Sequence, residues 1–143
     1  MKTISILLTL FYTALLTGDT LKLKIVAHRD FPVDHISPKR LKRLYLAQKY
    51  LIHNQEILPI NYTTDNHLRD CFEKRILHKN RRALERYWLN AHFQGKRPPK
   101  VVKSTAALLK YLQKIPYAVG YVDQNTTLPE TLKVLYSVEC PVP

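Results

Sequence analysis

The side chains in this sequence that could do chemistry are spaced in ways that argue against catalysis. Its six histidines are His28, His35, His53, His67, His78 and His92. None forms H-E-x-x-H or H-x-H, and none stands at zinc-ligand spacing from a cysteine. There is no G-x-S-x-G, no G-x-x-x-x-G-K-[ST] and no G-x-G-x-x-G. With three glycines in the chain, a phosphate-cradling glycine loop cannot be built in the usual way. Asp30 and Asp34 share one loop but make no acid/base couple. These patterns predict a protein that is not an enzyme and holds no metal and no cofactor. Cys71 and Cys140 lack C-x-x-C spacing. They either pair in an oxidising compartment or stay as two thiols, and the sequence leaves both open.

Two features point to binding. The stretch Thr63-Thr64-Asp65-Asn66 runs into a helix beginning near His67. Free N–H groups at such a start favour an anion. Thr63, Thr64 and Asn66 would donate side-chain hydrogen bonds and Arg69 would add charge; the plainer reading is that Asn66 simply caps the helix. The second feature is charge. Lys and Arg number 23 against 11 Asp and Glu, a net charge of +12. Such a surface suits phosphate groups, acidic lipid or lipopolysaccharide, nucleic acid or acidic protein, or else only keeps the domain soluble. Lys39, Arg40, Lys42 and Arg43 form one candidate basic surface, and Lys74, Arg75, Lys79, Arg81 and Arg82 could extend it.

The elements that must carry these residues follow from periodicity. Leu21, Leu23 and Ile25 alternate with lysines and predict a first strand. Ser37 followed by Pro38 is a helix start. Leu41, Leu44 and Tyr45 are its inward stripe. A second strand is predicted over Ile57 to Tyr62, with Pro59 placing it near an edge or a bulge. Asn66 and Asn80 cap two helices. The first carries Leu68, Phe72 and Ile76; the second carries Leu84, Tyr87, Trp88 and Ala91 as a core-facing stripe. Val101-Val102 makes a short strand. Ser104 caps a helix bearing Leu108, Tyr111, Leu112 and Ile115. Buried strands close the chain at Ala118 to Val122 and Leu132 to Val138. Strands alternating with helices predict the α/β class.

The N-terminus differs from the rest. After Lys2, Ile4 to Leu16 runs without a charge, too short for an ordinary transmembrane helix and of the length of a signal h-region. Residues 1–20 read as a signal peptide cleaved between Gly18 and Thr20, 21–138 as the domain and 139–143 as a tail. Lys2 is the only basic residue in that leader. No later segment approaches a membrane span.

The order of segments resembles phosphate-type periplasmic solute-binding proteins. Ser37-Pro-Lys-Arg-Leu-Lys-Arg-Leu-Tyr-Leu-Ala-Gln-Lys is similar to their Leu-Ser-x-x-x-Leu-x-x-Ile-Phe-Leu-Gly-Lys helix. Ile57-Leu-Pro-Ile-Asn-Tyr resembles their Ile-x-Pro-Val-x-Arg strand, and Asp65-Asn-His-Leu-Arg-Asp-Cys-Phe stands where they carry Gly-Ser-Gly-Thr and a later Phe. Tyr87-Trp88, Phe93-Gln-Gly-Lys-Arg-Pro-Pro and Ile115-Pro-Tyr-Ala-Val-Gly-Tyr-Val are similar to Tyr-Trp, Phe-x-Gly-x-x-x-Pro-Pro and Pro-Gly-Ala-Ile-Gly-Tyr-Val. The match spans about residues 23 to 136 and implies a single three-layer α/β lobe with a central mixed sheet, like one lobe of a type II periplasmic binding protein. It covers only the second lobe, so one wall of the ligand cleft is expected to be missing. The family's anion-binding residues are largely replaced. The strand arginine is Tyr62, the Ser-Gly-Thr turn is Asn66-His67-Leu68, the glycine of Phe-Leu-Gly-Lys is Ala47, and a later tryptophan is Ile52.

The expectation is a periplasmic or secreted, non-enzymatic binding protein. The first reading is an envelope interaction module whose partner is another envelope protein or an anionic surface. The alternative is weak binding of phosphate or another small anion. A basic binder of lipopolysaccharide or nucleic acid is a second alternative, with nucleic acid disfavoured by the export signal and the lack of any reading motif.

Overall fold

The computed structural model describes residues 20–140. The segment before Thr20, where a signal peptide is expected, and the last three residues of the predicted tail lie outside the described residues. Seven strands and four helices follow one another as β1 (Leu21–His28), α1 (Pro38–Tyr45), β2 (Leu51–Ile52), β3 (Gln55–Glu56), β4 (Leu58–Tyr62), α2 (His67–Phe72), α3 (Arg81–His92), β5 (Lys100–Val102), α4 (Thr105–Lys114), β6 (Ala118–Asp123) and β7 (Leu132–Cys140). A π-helical turn, Glu73–Leu77, continues α2.

Five strands form one mixed sheet in the order β5-β4-β6-β1-β7. β4 runs parallel to both β5 and β6, while β1 is antiparallel to β6 and β7. The chain moves from β4 out to β5, then back past β4 to β6. Parallel crossovers nearly always keep a right hand, so reversing direction in the sheet must switch the face on which the connecting helix lies. The side chains on β6 report this. A Cβ added to Gly120 would stand 2.6 Å from Leu108 of α4, so that helix rests directly on the strand backbone. The next residue, Tyr121, points to the other face and stacks on Phe72, with ring centroids 4.2 Å apart and planes 2° from parallel. The expected three-layer α/β lobe with a central mixed sheet is the observed architecture.

Buried tyrosines tie the elements together on both faces of the sheet. Tyr45 of α1 donates to the Ile60 carbonyl at 2.7 Å and Tyr62 donates to the Tyr121 carbonyl at 2.8 Å. The Tyr121 hydroxyl meets Asn61 Oδ1. Burial pushes all three phenols up from their ordinary value, Tyr45 and Tyr121 strongly. They therefore remain neutral donors throughout the physiological range.

The caps predicted at Ser37, Asn66, Asn80 and Ser104 accept from Arg40, Leu68, Ala83 and Ala107 backbone N–H groups. Several other expectations need correction. β4 is flanked on both sides, so Pro59 is not in an edge strand. β5 pairs only with Ile60 to Tyr62, however, so a residue without an N–H is tolerated one step earlier. Tyr87 and Trp88 are half-buried, because α3 covers the end of the sheet near the short strand β5 and not its centre. Residues between α1 and β4 form a hairpin, β2-β3, that periodicity missed. Its turn residues His53 and Asn54 both have positive φ, 48° and 65°, the pattern usually signalled by Asn-Gly. The last strand continues past Val138 to Cys140, which is joined to Cys71 with a Cα separation of 5.7 Å.

Ala47 is the most informative departure. It follows α1 with φ of 54° and is almost fully buried. Its N–H reaches the Leu44 carbonyl and the Gln48 N–H reaches the Arg43 carbonyl, the paired bonds of a Schellman ending. The left-handed turn that favours glycine has been kept with alanine in it. Ala47→Gly should raise stability by about 1 kcal/mol, because it removes the Cβ clash of left-handed backbone. Chemical denaturation of the two proteins should show the shift in midpoint.

Candidate functional site

The loop Thr63–Asn66 leaves the C-terminal end of β4 and enters α2 after one turn. This is the usual ligand edge of a parallel sheet. The four candidate anion-binding residues are near one another there, but most of their polar groups are engaged. Asn66 Oδ1 accepts the Leu68 N–H at 2.9 Å, the ordinary work of a helix cap. The Thr63 hydroxyl donates to Asp65 and, with Asp65's own backbone, holds that exposed carboxyl below its usual range. Asp65 therefore puts a negative charge at the mouth of the loop. Arg69 donates from Nε to Glu73 Oε1 at 2.6 Å and from Nη1 to the Tyr62 carbonyl at 2.6 Å. Thr64 alone is exposed with no partner among the described hydrogen bonds. α2 itself has only six residues, which limits its dipole.

Glu73, which the sequence reading passed over, organises this region. Only 3% of it is exposed. Its second carboxylate oxygen lies 3.2 Å from Arg81 Nε, close enough for charge attraction but off the line of a hydrogen bond. Arg81 Nη2 also binds Asp70 at 2.9 Å. Two guanidiniums thus face two carboxylates, and the cluster has no net charge. The π turn makes this possible. At about 100° per residue, an unbroken α-helix would place Leu77 opposite Leu68. The wider turn lets Glu73, Ile76 and Leu77 all be buried. The turn ends at His78, with φ of 52°. Cys71–Cys140 and an Arg75 Nε bond of 2.7 Å to the Glu139 carbonyl tie α2 and the turn to β7.

Above this cluster lies a cleft of about 330 Å³ between α3 and the β4-β5 edge. Trp88, Leu84, Pro98 and Val101 are among its apolar walls, while Arg69, Arg81, Glu73 and Glu85 supply balanced charge at its floor. The candidate basic surface lies apart from it. Lys39 and Arg43 of α1 are exposed, Arg40 and Lys42 partly so, and among the described residues no ion pair engages any of the four. Among the described residues no cluster of His, Cys, Asp and Glu could hold a metal ion, and no helix is long and apolar enough to cross a membrane.

A three-layer sheet with its loops gathered at the ends of parallel strands is the form of one lobe of a two-lobed solute-binding protein. Solved structures agree. An ABC-type phosphate transport receptor from Vibrio cholerae superimposes with a TM-score of 0.64 at 17% identity, over 81% of this chain and 46% of that one. A putative phosphate ABC transporter substrate-binding protein with bound phosphate from Clostridium perfringens gives 0.65 at 12% identity, over 81% and 44%. PstS from Borrelia burgdorferi gives 0.64 at 13% identity, over 81% and 47%. The chain spans about half the length of these proteins, and the likeness is one of fold. No family model and no curated protein sequence matches it.

Glu73→Gln should test the charge cluster. Removing the carboxylate's charge leaves two guanidiniums facing each other, and breaking a buried ion pair costs about 3–5 kcal/mol. The variant should melt earlier than the parent in low salt. Sulfate should restore part of that loss in the variant while doing little to the parent.

Proposed function

We propose that the protein is a non-enzymatic binding protein of the cell envelope, in which a solute-binding lobe serves as a docking module for an anionic partner. The observation that carries this reading is the internal use of the candidate anion donors. Arg69 is held by Glu73 and the Tyr62 carbonyl, Asn66 by its own helix, and Thr63 by Asp65. A phosphate arriving at this loop would meet Thr64 and an acidic Asp65, with no uncompensated cation. By contrast, Lys39, Arg40, Lys42 and Arg43 form a run of cations on one helix with no carboxylate bonded to them. The structural neighbours that carry phosphate in their descriptions support the alternative, a weak small-anion binder, through fold alone.

Export is part of the same proposal, with residues 1–20 as the leader and the domain running from residue 21 to Cys140 at the end of β7, two residues beyond the boundary expected from the sequence. The disulfide supports an oxidising destination, since such bonds persist in the periplasm and outside the cell. Mass spectrometry of protein recovered from an exporting cell should find an N-terminus between Asp19 and Leu21. Intact Met1 in a soluble cytoplasmic fraction would refute the export claim.

Two paired variants separate docking from small-anion binding. Lys42→Glu with Arg43→Glu should weaken retention on immobilised heparin, used as a generic polyanion, and flatten its dependence on salt. Thr64→Ala with Asn66→Ala should leave retention unchanged and cost only the lost cap, about 0.5–2 kcal/mol. Calorimetric titration with phosphate and sulfate provides the opposing result. Micromolar affinity that disappears in the Thr64/Asn66 variant would restore the solute-binding reading.

A further inference from the structure

We infer that the outer face of α3 and the loop after it form a contact site for anionic lipid bilayers. This goes beyond the docking reading and does not depend on the α1 surface. Arg82, Arg86, Leu89 and Phe93 recur at helical spacing and are all exposed, so they form one stripe along α3. The stripe is basic at its first half and apolar at its second. Leu89 is 63% exposed and Phe93 82%, far more than core packing would leave large apolar side chains.

The chain then turns sharply. Gly95 has φ of 76° and open space around its Cα, and the Lys96 N–H returns to the Ala91 carbonyl at 3.1 Å. This glycine ending sets Lys96 and Arg97 immediately beyond Phe93. Val101, 50% exposed on the edge strand β5, lines the cleft beside Trp88, so the apolar surface continues from the helix to the sheet edge. On the other side of β5, Lys100 sits over the Tyr111 ring at 4.9 Å. No Asp or Glu occurs between Glu85 and Asp123. Glu85, one turn before Leu89, is the nearest carboxylate, and it faces the cleft floor with Arg81.

Charge and shape together favour lipid over a protein or nucleic-acid partner. Leu89 and Phe93 project from a convex helix face, so a protein partner would need a matching pocket, whereas a bilayer interface accepts protruding apolar groups anywhere on its plane. The cations around them are spread over a helix, a loop and a strand and do not converge on a point. That arrangement fits the diffuse negative charge of an anionic leaflet. Nucleic acid would draw on the cations but leave Leu89 unused.

Trp88 allows a direct test because it is the chain's only tryptophan and lies beside Leu89. Purified protein is mixed with vesicles of phosphatidylcholine, with or without phosphatidylglycerol, and Trp88 emission is followed together with its quenching by brominated acyl chains. This readout reports contact at α3 whatever the N-terminal segment does. Anionic vesicles should shift the emission to the blue and permit quenching, and neutral vesicles should not. Leu89→Ser with Phe93→Ser, and separately Arg86→Glu with Arg97→Glu, should each weaken binding at least tenfold while far-UV circular dichroism and melting stay unchanged. Lys42→Glu with Arg43→Glu should weaken it less than threefold. No emission change with anionic vesicles, or binding that survives the Leu89/Phe93 change, would overturn the inference. Loss of vesicle binding in the Lys42/Arg43 variant equal to that at α3 would also overturn it. Heparin retention that persists while vesicles fail would leave the docking reading standing and remove only this one.

Discussion

A carboxylate buried inside a basic protein constrains everything around it. Glu73 cannot stay charged away from water unless opposite charges follow it in. Arg69 does so from one turn earlier on the same helical stretch, and Arg81 brings α3 with it. The requirement explains the widened turn that carries Glu73 inward, the placing of α3 against α2, and the balanced floor of the cleft. It also engages Arg69, the arginine nearest in sequence to the β4 loop. In the resembling family an arginine is expected at the end of the strand. Here Tyr62 occupies that place and turns its hydroxyl to the Tyr121 carbonyl, while its own carbonyl accepts from Arg69. A position that could have supplied charge to a ligand supplies hydrogen bonds to the core.

The aromatic cluster is the complementary constraint. Phe72, Tyr121, Tyr45 and Tyr62 are all buried, and three of them carry hydroxyls that must find partners in a dry interior. Those partners are mostly carbonyls of β4 and β6: Tyr45 anchors α1 to both parallel strands, while Tyr62 ties one strand to the other. On the opposite face Gly120 admits α4 so closely that Leu108 rests on the strand backbone, and the Tyr62 hydroxyl meets Thr105 at the start of that helix.

Much of the fold was legible because caps and periodicity are local. Ser37, Asn66, Asn80 and Ser104 marked helix starts correctly, since each places an oxygen two or three residues before a free N–H. What escaped had no local mark. The β2-β3 hairpin turns at His53-Asn54 and the first helix ends at Ala47, left-handed positions without the glycine that would reveal them. The burial of Glu73 depends on a change of helical period, and a charged residue off the apolar stripe gives no sign of that. The i to i+4 spacing of Arg69 and Glu73 was the available clue, though the same spacing usually marks a solvent-exposed pair. Trp88 packs against the core as expected but is only half-buried. Periodicity shows which way a helix faces but not how far the sheet extends beneath it, and β5 is only three residues long.

These constraints bear on what kind of anion the protein can meet. A small anion is bound by donors that converge within a few ångströms and have no other partner. In this lobe the convergent donors at the β4 loop are neutralised by Glu73, Asp70 and Asp65. The surplus positive charge remains on α1, α3, β5 and α4, on separated elements with few acidic neighbours. At physiological salt, charges more than about 8 Å apart act almost independently, so such a surface gains little from one phosphate ion and much from an extended array of negative groups. The fold is that of one lobe of the solute-binding proteins it superimposes on, and the proposed docking role rests on charge that is spread over separate elements instead of converging on one point.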